Sequence, residues 1–164
     1  MATEPEYKRR LVDPRLRDLF AELPALMVTG PRATGKTTTA ERLSRSVVRL
    51  DRPAEAAAFE ADPDAALAAT EEPILLDEWQ EVPGVLGAVK RAVDRDSRPG
   101  RFILTGSVRA DLEEATWPGT GRVVRIPMYG MTVGELEGRL SVACFLDRFA
   151  AGEAMPLPQR RPDL

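Results

Sequence analysis

Gly30-Pro31-Arg32-Ala33-Thr34-Gly35-Lys36-Thr37, with Thr38 behind it, combines two glycines, an ammonium and a hydroxyl at a spacing suited to a polyphosphate. The glycines let main-chain amides curl around phosphate oxygens, and a helix starting at Lys36 turns its free N–H groups toward the anion. Lys36 is then expected to reach the β- and γ-phosphates, and the Thr37 hydroxyl to ligate Mg²⁺. The chain's 23 basic residues include only three lysines, Lys8, Lys36 and Lys90. A compact point charge kept at this one position, where a forked guanidinium would not fit, is a chemical choice. A nucleoside triphosphate is the expected ligand. Arg32 either faces phosphate or stabilises the loop, and the sequence leaves both readings open.

Two more apolar runs end in polar groups. Ile74-Leu75-Leu76 leads into Asp77-Glu78. Asp77 is expected to hold Mg²⁺ through its water shell opposite Thr37, and Glu78 to polarise a water for in-line attack on the γ-phosphorus. Adjacent carboxylates also suit a solvated strand end, but the apolar run and the strand–helix–strand interval from the loop favour a nucleotide site. Phe102-Ile103-Leu104 leads into Thr105-Gly106-Ser107. A hydroxyl there would bond the γ-phosphate or the attacking water, or merely satisfy a turn. Arg122, in Gly119-Thr120-Gly121-Arg122, is either an arginine finger for a neighbouring subunit's nucleotide or a surface salt bridge. Trp79 and Gln80 are expected to support the loop after the acidic pair, and Trp117 to be core or interface.

The elements that must position these groups follow from the hydrophobic pattern. A helix is expected over 13–22, a strand over 25–29, the loop's helix from Lys36 to about Ser46 and a strand over 47–51. Pro53 opens an Ala-rich acidic helical stretch that Pro63 interrupts. A third strand at 74–76 is apolar throughout, as a strand covered on both faces must be. Then come a helix from Val85 to about Asp94, a strand over 101–105, a helix within 109–115, a strand over 123–128, and helices near 132–137 and 142–151. This alternation implies an α/β fold of three α/β/α layers around a parallel sheet of about five strands. Ligands of such sheets collect at the carboxyl ends of the strands. The expected organisation is a helical lead-in over 1–24, a core over 25–151 and a Pro-rich tail over 152–164.

Composition bounds the rest. The chain has 164 residues, 43% of them hydrophobic and 30% charged, which suits one globular domain. A net charge of −3 with scattered basic residues does not indicate a DNA-binding surface. The densest basic run, Lys8-Arg9-Arg10 with Arg15 and Arg17, reads as a solvated helix face because Glu4, Glu6, Asp13 and Asp18 interleave it. One cysteine (Cys144) and no histidine exclude an internal disulfide, zinc sites and His-based catalysis. No signal peptide or spanning apolar run is evident, so a cytoplasmic protein without membrane contact is expected.

Four motifs in order, Gly30–Thr37, Leu75–Pro83, Phe102–Ser107 and Gly119–Arg122, resemble the AAA-type P-loop ATPases. They are most similar to a bacterial and archaeal subgroup usually followed by a C-terminal region with winged-helix and restriction-endonuclease-like features. The resemblance covers roughly residues 7 to 140. It implies a P-loop NTPase fold and ATP as the nucleotide, and makes Asp77-Glu78 the Walker B pair and Thr105 the first sensor position. The segment Met128–Thr132 with Glu135 resembles the subgroup's stretch after the fifth strand. Here only the ATPase core is expected, with the accessory domain absent and no second sensor arginine assignable.

Three functions compete on these residues. The first is a Mg²⁺-dependent ATPase coupled to a conformational task, acting alone, as a homo-oligomer or with a partner protein. The second is a nucleotide-holding module with negligible turnover. The third is a small-molecule kinase, which the acidic pair and the lack of an evident Arg-rich lid disfavour.

Overall fold

The computed structural model describes residues 7–107 and 122–138, together with Gly152. Its elements run α1 (Val12–Glu22), β1 (Ala25–Gly30), α2 (Lys36–Glu41), β2 (Ser46–Arg49), α3 (Pro53–Ala61), α4 (Pro63–Ala69), β3 (Ile74–Asp77), α5 (Gly84–Arg95), β4 (Phe102–Ser107), β5 (Val124–Pro127) and α6 (Val133–Leu136). Five strands pair in the order β2-β3-β4-β1-β5, and every pairing is parallel. The chain leaves β1 for the far edge, returns through β3, and inserts β4 between β3 and β1. The expected three-layer α/β fold is present.

Alternation along the strands sorts the side chains into two cores. Ala25, Met27, Ile74, Leu76, Phe102 and Leu104 face α3, α4 and α5, packing with Phe59, Leu67, Val85 and Val89. Leu26, Val28, Leu75, Ile103 and Ile126 face the other way, against Leu16 and Phe20 of α1 and Ala40 of α2. Both faces of β1, β3 and β4 are therefore dry, which is why these strands are apolar runs rather than alternating ones. The stripe Val85, Leu86, Val89 and Val93 is buried as its spacing requires.

Several boundaries differ from expectation. α2 stops at Glu41 rather than near Ser46, because the Ser44 hydroxyl and amide both turn back to the Glu41 carbonyl. The Arg45 and Ser46 amides then bond Pro73, so β2 starts at Ser46 and ends at Arg49. Asp62 caps α4 through the Ala65 amide (3.0 Å), and a proline opens both α3 and α4, so the Ala-rich stretch is two helices. The helices expected within 109–115 and 142–151, the turn at Pro118-Gly119, Trp117, Cys144 and nearly all of the tail lie outside the described residues. No helix among the described residues is long and apolar enough to cross a membrane.

The basic N-terminal run corrects a second expectation. Arg10 is not on a solvated helix face: it precedes α1 and is only 4% exposed. Its Nε donates to Glu135 Oε1 at 3.0 Å, its Nη1 to the Thr34 carbonyl and its Nη2 to the Tyr129 carbonyl, both at 2.8 Å. Glu135 also accepts the Leu11 and Thr132 amides, the latter closing a capping box on α6. Burial alone would raise the Glu135 carboxyl's pKa. The Thr132 and Leu11 amides and the Arg10 guanidinium more than offset it, leaving the group at about 2.

The folded protein thus binds this proton more weakly than the unfolded chain. The ionised group's stabilisation is complete above the ordinary value of 4.5 and is lost as pH falls through about 2. Glu135→Ala leaves a buried guanidinium uncompensated and is expected to cost about 3–5 kcal/mol at pH 7. In urea unfolding, the gap between wild type and Glu135→Gln should narrow between pH 5 and pH 3. An equal gap at both would contradict the ionised-carboxylate account.

Candidate nucleotide site

Parallel strands bring the polar strand ends to one edge. In register, Asp77 of β3 lies opposite Thr105 of β4, and Thr105 opposite Val28 of β1, so the acidic strand sits one strand away from the phosphate loop. Asp77 Oδ1 accepts the Thr37 hydroxyl at 2.8 Å and also the Thr105 hydroxyl. One carboxylate oxygen thereby ties α2, β3 and β4 together. Thr105 is fully buried, and its hydroxyl's partner is Asp77. The strand inserted beside β3 points that hydroxyl at Asp77.

The loop itself is built by close approach. A Cβ on Gly30 would lie 1.9 Å from the Met128 carbonyl oxygen, because Met128 continues the β5 pairing through a 2.7 Å bond to Thr29. No side chain fits there. Ala33 and Gly35 take positive φ (58° and 86°), which curls the loop into the start of α2. The buried Lys36 reaches back across the loop, its Nζ donating to the Pro31 carbonyl at 2.8 Å. The Thr34 hydroxyl bonds the same carbonyl at 3.0 Å.

Around this loop opens a cleft of about 480 Å³, lined by Arg32, Ala33, Thr34, Gly35, Lys36, Thr37 and Thr38, with Asp51, Glu78 and Glu81 facing them. Its size suits a nucleotide's phosphate tail and part of the nucleoside. Arg32 is exposed at its lip. Glu78 sits in the left-handed region (φ 51°, ψ 48°), a costly conformation for this residue type and one that concentrates at functional sites. Its Oε2 accepts Gln80 Nε2 at 2.5 Å.

Arg122 stands apart from this cleft. It precedes β5 at the amino edge of the sheet, opposite the loop, and its Nε bonds Asp94 Oδ1 at 2.7 Å on the exposed end of α5. It cannot reach the cleft of its own chain. The surface ion pair that competed with the arginine-finger reading is present.

The donor set can be tested against a Mg²⁺ ion. Among the described residues no cluster of three acidic, His or Cys side chains exists to cage a metal. Mg²⁺ at a phosphate site needs no such cage, since it keeps waters and takes phosphate oxygens beside one or two protein ligands. Thr37 and Asp77, 2.8 Å apart, match that sparse set. By donating its hydrogen to Asp77, the Thr37 hydroxyl leaves oxygen lone pairs for a cation.

Sequence reasoning missed Asp51, Glu81 and Arg10. The first two follow a strand end and a strand-end turn, so the carboxyl-edge rule could have nominated them. Arg10 had no local signal, because its partners lie 24, 119 and 125 positions away.

A family model described as an AAA domain matches residues 22–137. An uncharacterized protein of Mycobacterium bovis and one of Mycobacterium tuberculosis are each 33% identical over 134 residues, covering 79% of this chain. The chain spans 30% of the length of these curated relatives.

Gly30→Ala is expected to destabilise the protein by about 1–3 kcal/mol or more, since the carbonyl it would strike is main chain. A urea midpoint equal to wild type would contradict the close approach.

Proposed function

The chain belongs to the AAA domain family, and on that premise we propose that it binds ATP with Mg²⁺ and hydrolyses it to ADP and phosphate. The observation that carries this reading is the meeting of three sets of groups at one cleft. The curled loop with Lys36 and Thr37 lies on one side and Glu78 on the other, and Asp77 is joined to that lining through the Thr37 hydroxyl.

On binding, the triphosphate takes the loop amides and draws Lys36 from the Pro31 carbonyl to its β- and γ-phosphates. Thr37 would hold Mg²⁺ directly and Asp77 through water, and the bound ion would neutralise charge on the triphosphate tail. Glu78 accepts a proton from a water whose oxygen forms the new bond to the γ-phosphorus. The bond from that phosphorus to the bridging oxygen breaks, and its electrons leave with ADP. Lys36 and the loop amides stabilise the developing charge on the transferred group. Thr105 acts through Asp77 by fixing its carboxylate, and is a positioning residue. Arg32 at the lip is placed to meet phosphate. Arg122 has a role in turnover only if a second copy brings its own cleft to that edge. A cytoplasmic location and a conformational task driven by hydrolysis complete the reading.

The nucleotide-holding alternative has one observation in its favour: one oxygen of the Glu78 carboxylate, Oε2, already accepts a hydrogen bond from Gln80. Kinetics separate the two. Lys36→Ala is expected to weaken Mg-ATP binding by about 10- to 100-fold in calorimetry, the value of a charge-assisted phosphate contact. Glu78→Gln should bind within a few-fold of wild type while phosphate release falls by about 10²- to 10⁴-fold. Undiminished release from Glu78→Gln would remove the water-activating role. Tight binding with no release from wild type would favour the holding module.

A further inference from the structure

Arginines around α5 are neutralised in turn: Arg91 and Arg95 hold Asp64, and Arg98 and Arg101 hold Glu72. In the layer on the other face of the sheet, three are not. Among the described residues Arg9, Arg17 and Arg42 make no ion pair, yet all three line one cavity of about 150 Å³ between α1 and α2. The lining holds a single carboxylate, Asp13, whose Oδ1 accepts the Tyr7 hydroxyl at 2.7 Å and whose Oδ2 accepts the Arg10 amide at 2.8 Å. Three guanidiniums against one carboxylate leave the cavity two positive charges in excess. Tyr7 is fixed there by Asp13 and by Thr39 Oγ1 at 3.2 Å, and the Arg42 guanidinium lies 4.2 Å from its ring centroid. Leu16 and Leu43 complete a partly apolar wall. Like charges gathered in such a concavity repel one another and focus a positive potential, which an anion would relieve.

We propose that this cavity binds a terminal phosphate monoester, at a site separate from the nucleotide cleft and independent of the ATPase reading. Such a group carries a charge of about −1.5 to −2 at pH 7, which matches the excess in the lining. Guanidinium forks meet phosphate oxygens with paired N–H donors, so arginine suits the role better than lysine would. An internal diester carries only one charge and a substituent on each side, and matches less well. The cavity shares no lining residue with the nucleotide cleft. It is also smaller than the about 300 Å³ at which pockets for whole small molecules begin. It therefore takes the phosphoryl end of a ligand and leaves the remainder outside. Two sources offer this chemistry, a small phosphorylated molecule and the 5′-phosphate end of a nucleic-acid strand.

The test is calorimetry on the full chain with ribose 5-phosphate, and with two single-stranded oligonucleotides that differ only in a 5′-phosphate or 5′-hydroxyl end. Lys36→Ala removes the phosphate contact of the loop and is expected to leave this binding in place. Arg17→Gln and Arg42→Gln should each weaken it at least about tenfold, the value of a lost charge-assisted bond. Arg15→Gln takes the same charge from the same helix outside the cavity, and should change affinity by no more than about twofold because a distant exposed charge is screened. Should Arg42→Gln fail to fold, the exposed Arg17 carries the comparison. A phosphorylated strand that binds at least about tenfold more tightly than its hydroxyl twin, with the difference removed by Arg17→Gln, identifies a nucleic-acid end. Arg17-dependent binding of ribose 5-phosphate alone identifies a small phosphate ester. No Arg17-dependent binding of either phosphorylated ligand overturns the site. An equal loss on Arg15→Gln, or binding that survives Arg17→Gln but not Lys36→Ala, overturns it as well.

Discussion

A single oxygen, Oδ1 of the buried Asp77, accepts hydroxyls from Thr37 and Thr105. The rest of the site depends on that junction. It binds the first turn of α2 to the end of β3 through a carboxylate that would otherwise be a buried charge with too few partners. It also gives β4 a donor at that level, because Thr105 lies beside Asp77 and its hydroxyl donates to it. The phosphate loop and the acidic strand are not adjacent, and the inserted strand passes the constraint between them.

The loop is also held from behind. Arg10 donates to the Thr34 carbonyl, to Tyr129 and to Glu135, so the segment before α1, the loop and the segment after β5 close on one guanidinium. Buried ion pairs repay their desolvation only when their remaining hydrogen-bonding capacity is filled, and here the Leu11 and Thr132 amides take up the second partner's oxygens. Gly30 sits between these two supports, pressed against Met128. The loop's main chain is thus held from both sides, while Lys36 bridges it through its side chain alone.

Across the cleft the situation is reversed. Glu78 carries backbone cost, and Trp79 and Gln80 carry unmet polar atoms. The well-satisfied half of the site is the loop side, and the strained half is the side that carries Glu78.

The sequence by itself determined the loop, the acidic pair and the parallel α/β architecture, because each is written in contiguous residues. Glycine spacing, a lysine kept in an arginine-rich chain, and apolar strand runs are local signals that survive without a partner. It also carried the stripe on α5 and the break at Pro63. It did not contain the strand order, which decides that Thr105 meets Asp77 and that Arg122 lies on the far edge beside Asp94. Nor could it reveal that Arg10 is buried, since a charged run reads as solvated until distant carbonyls and a carboxylate close around it. The tertiary structure decided these points for one physical reason. Hydrogen bonds and ion pairs between residues far apart in the chain leave no periodicity in it, so only the packed sheet edge shows which polar groups share a cleft and which are held away.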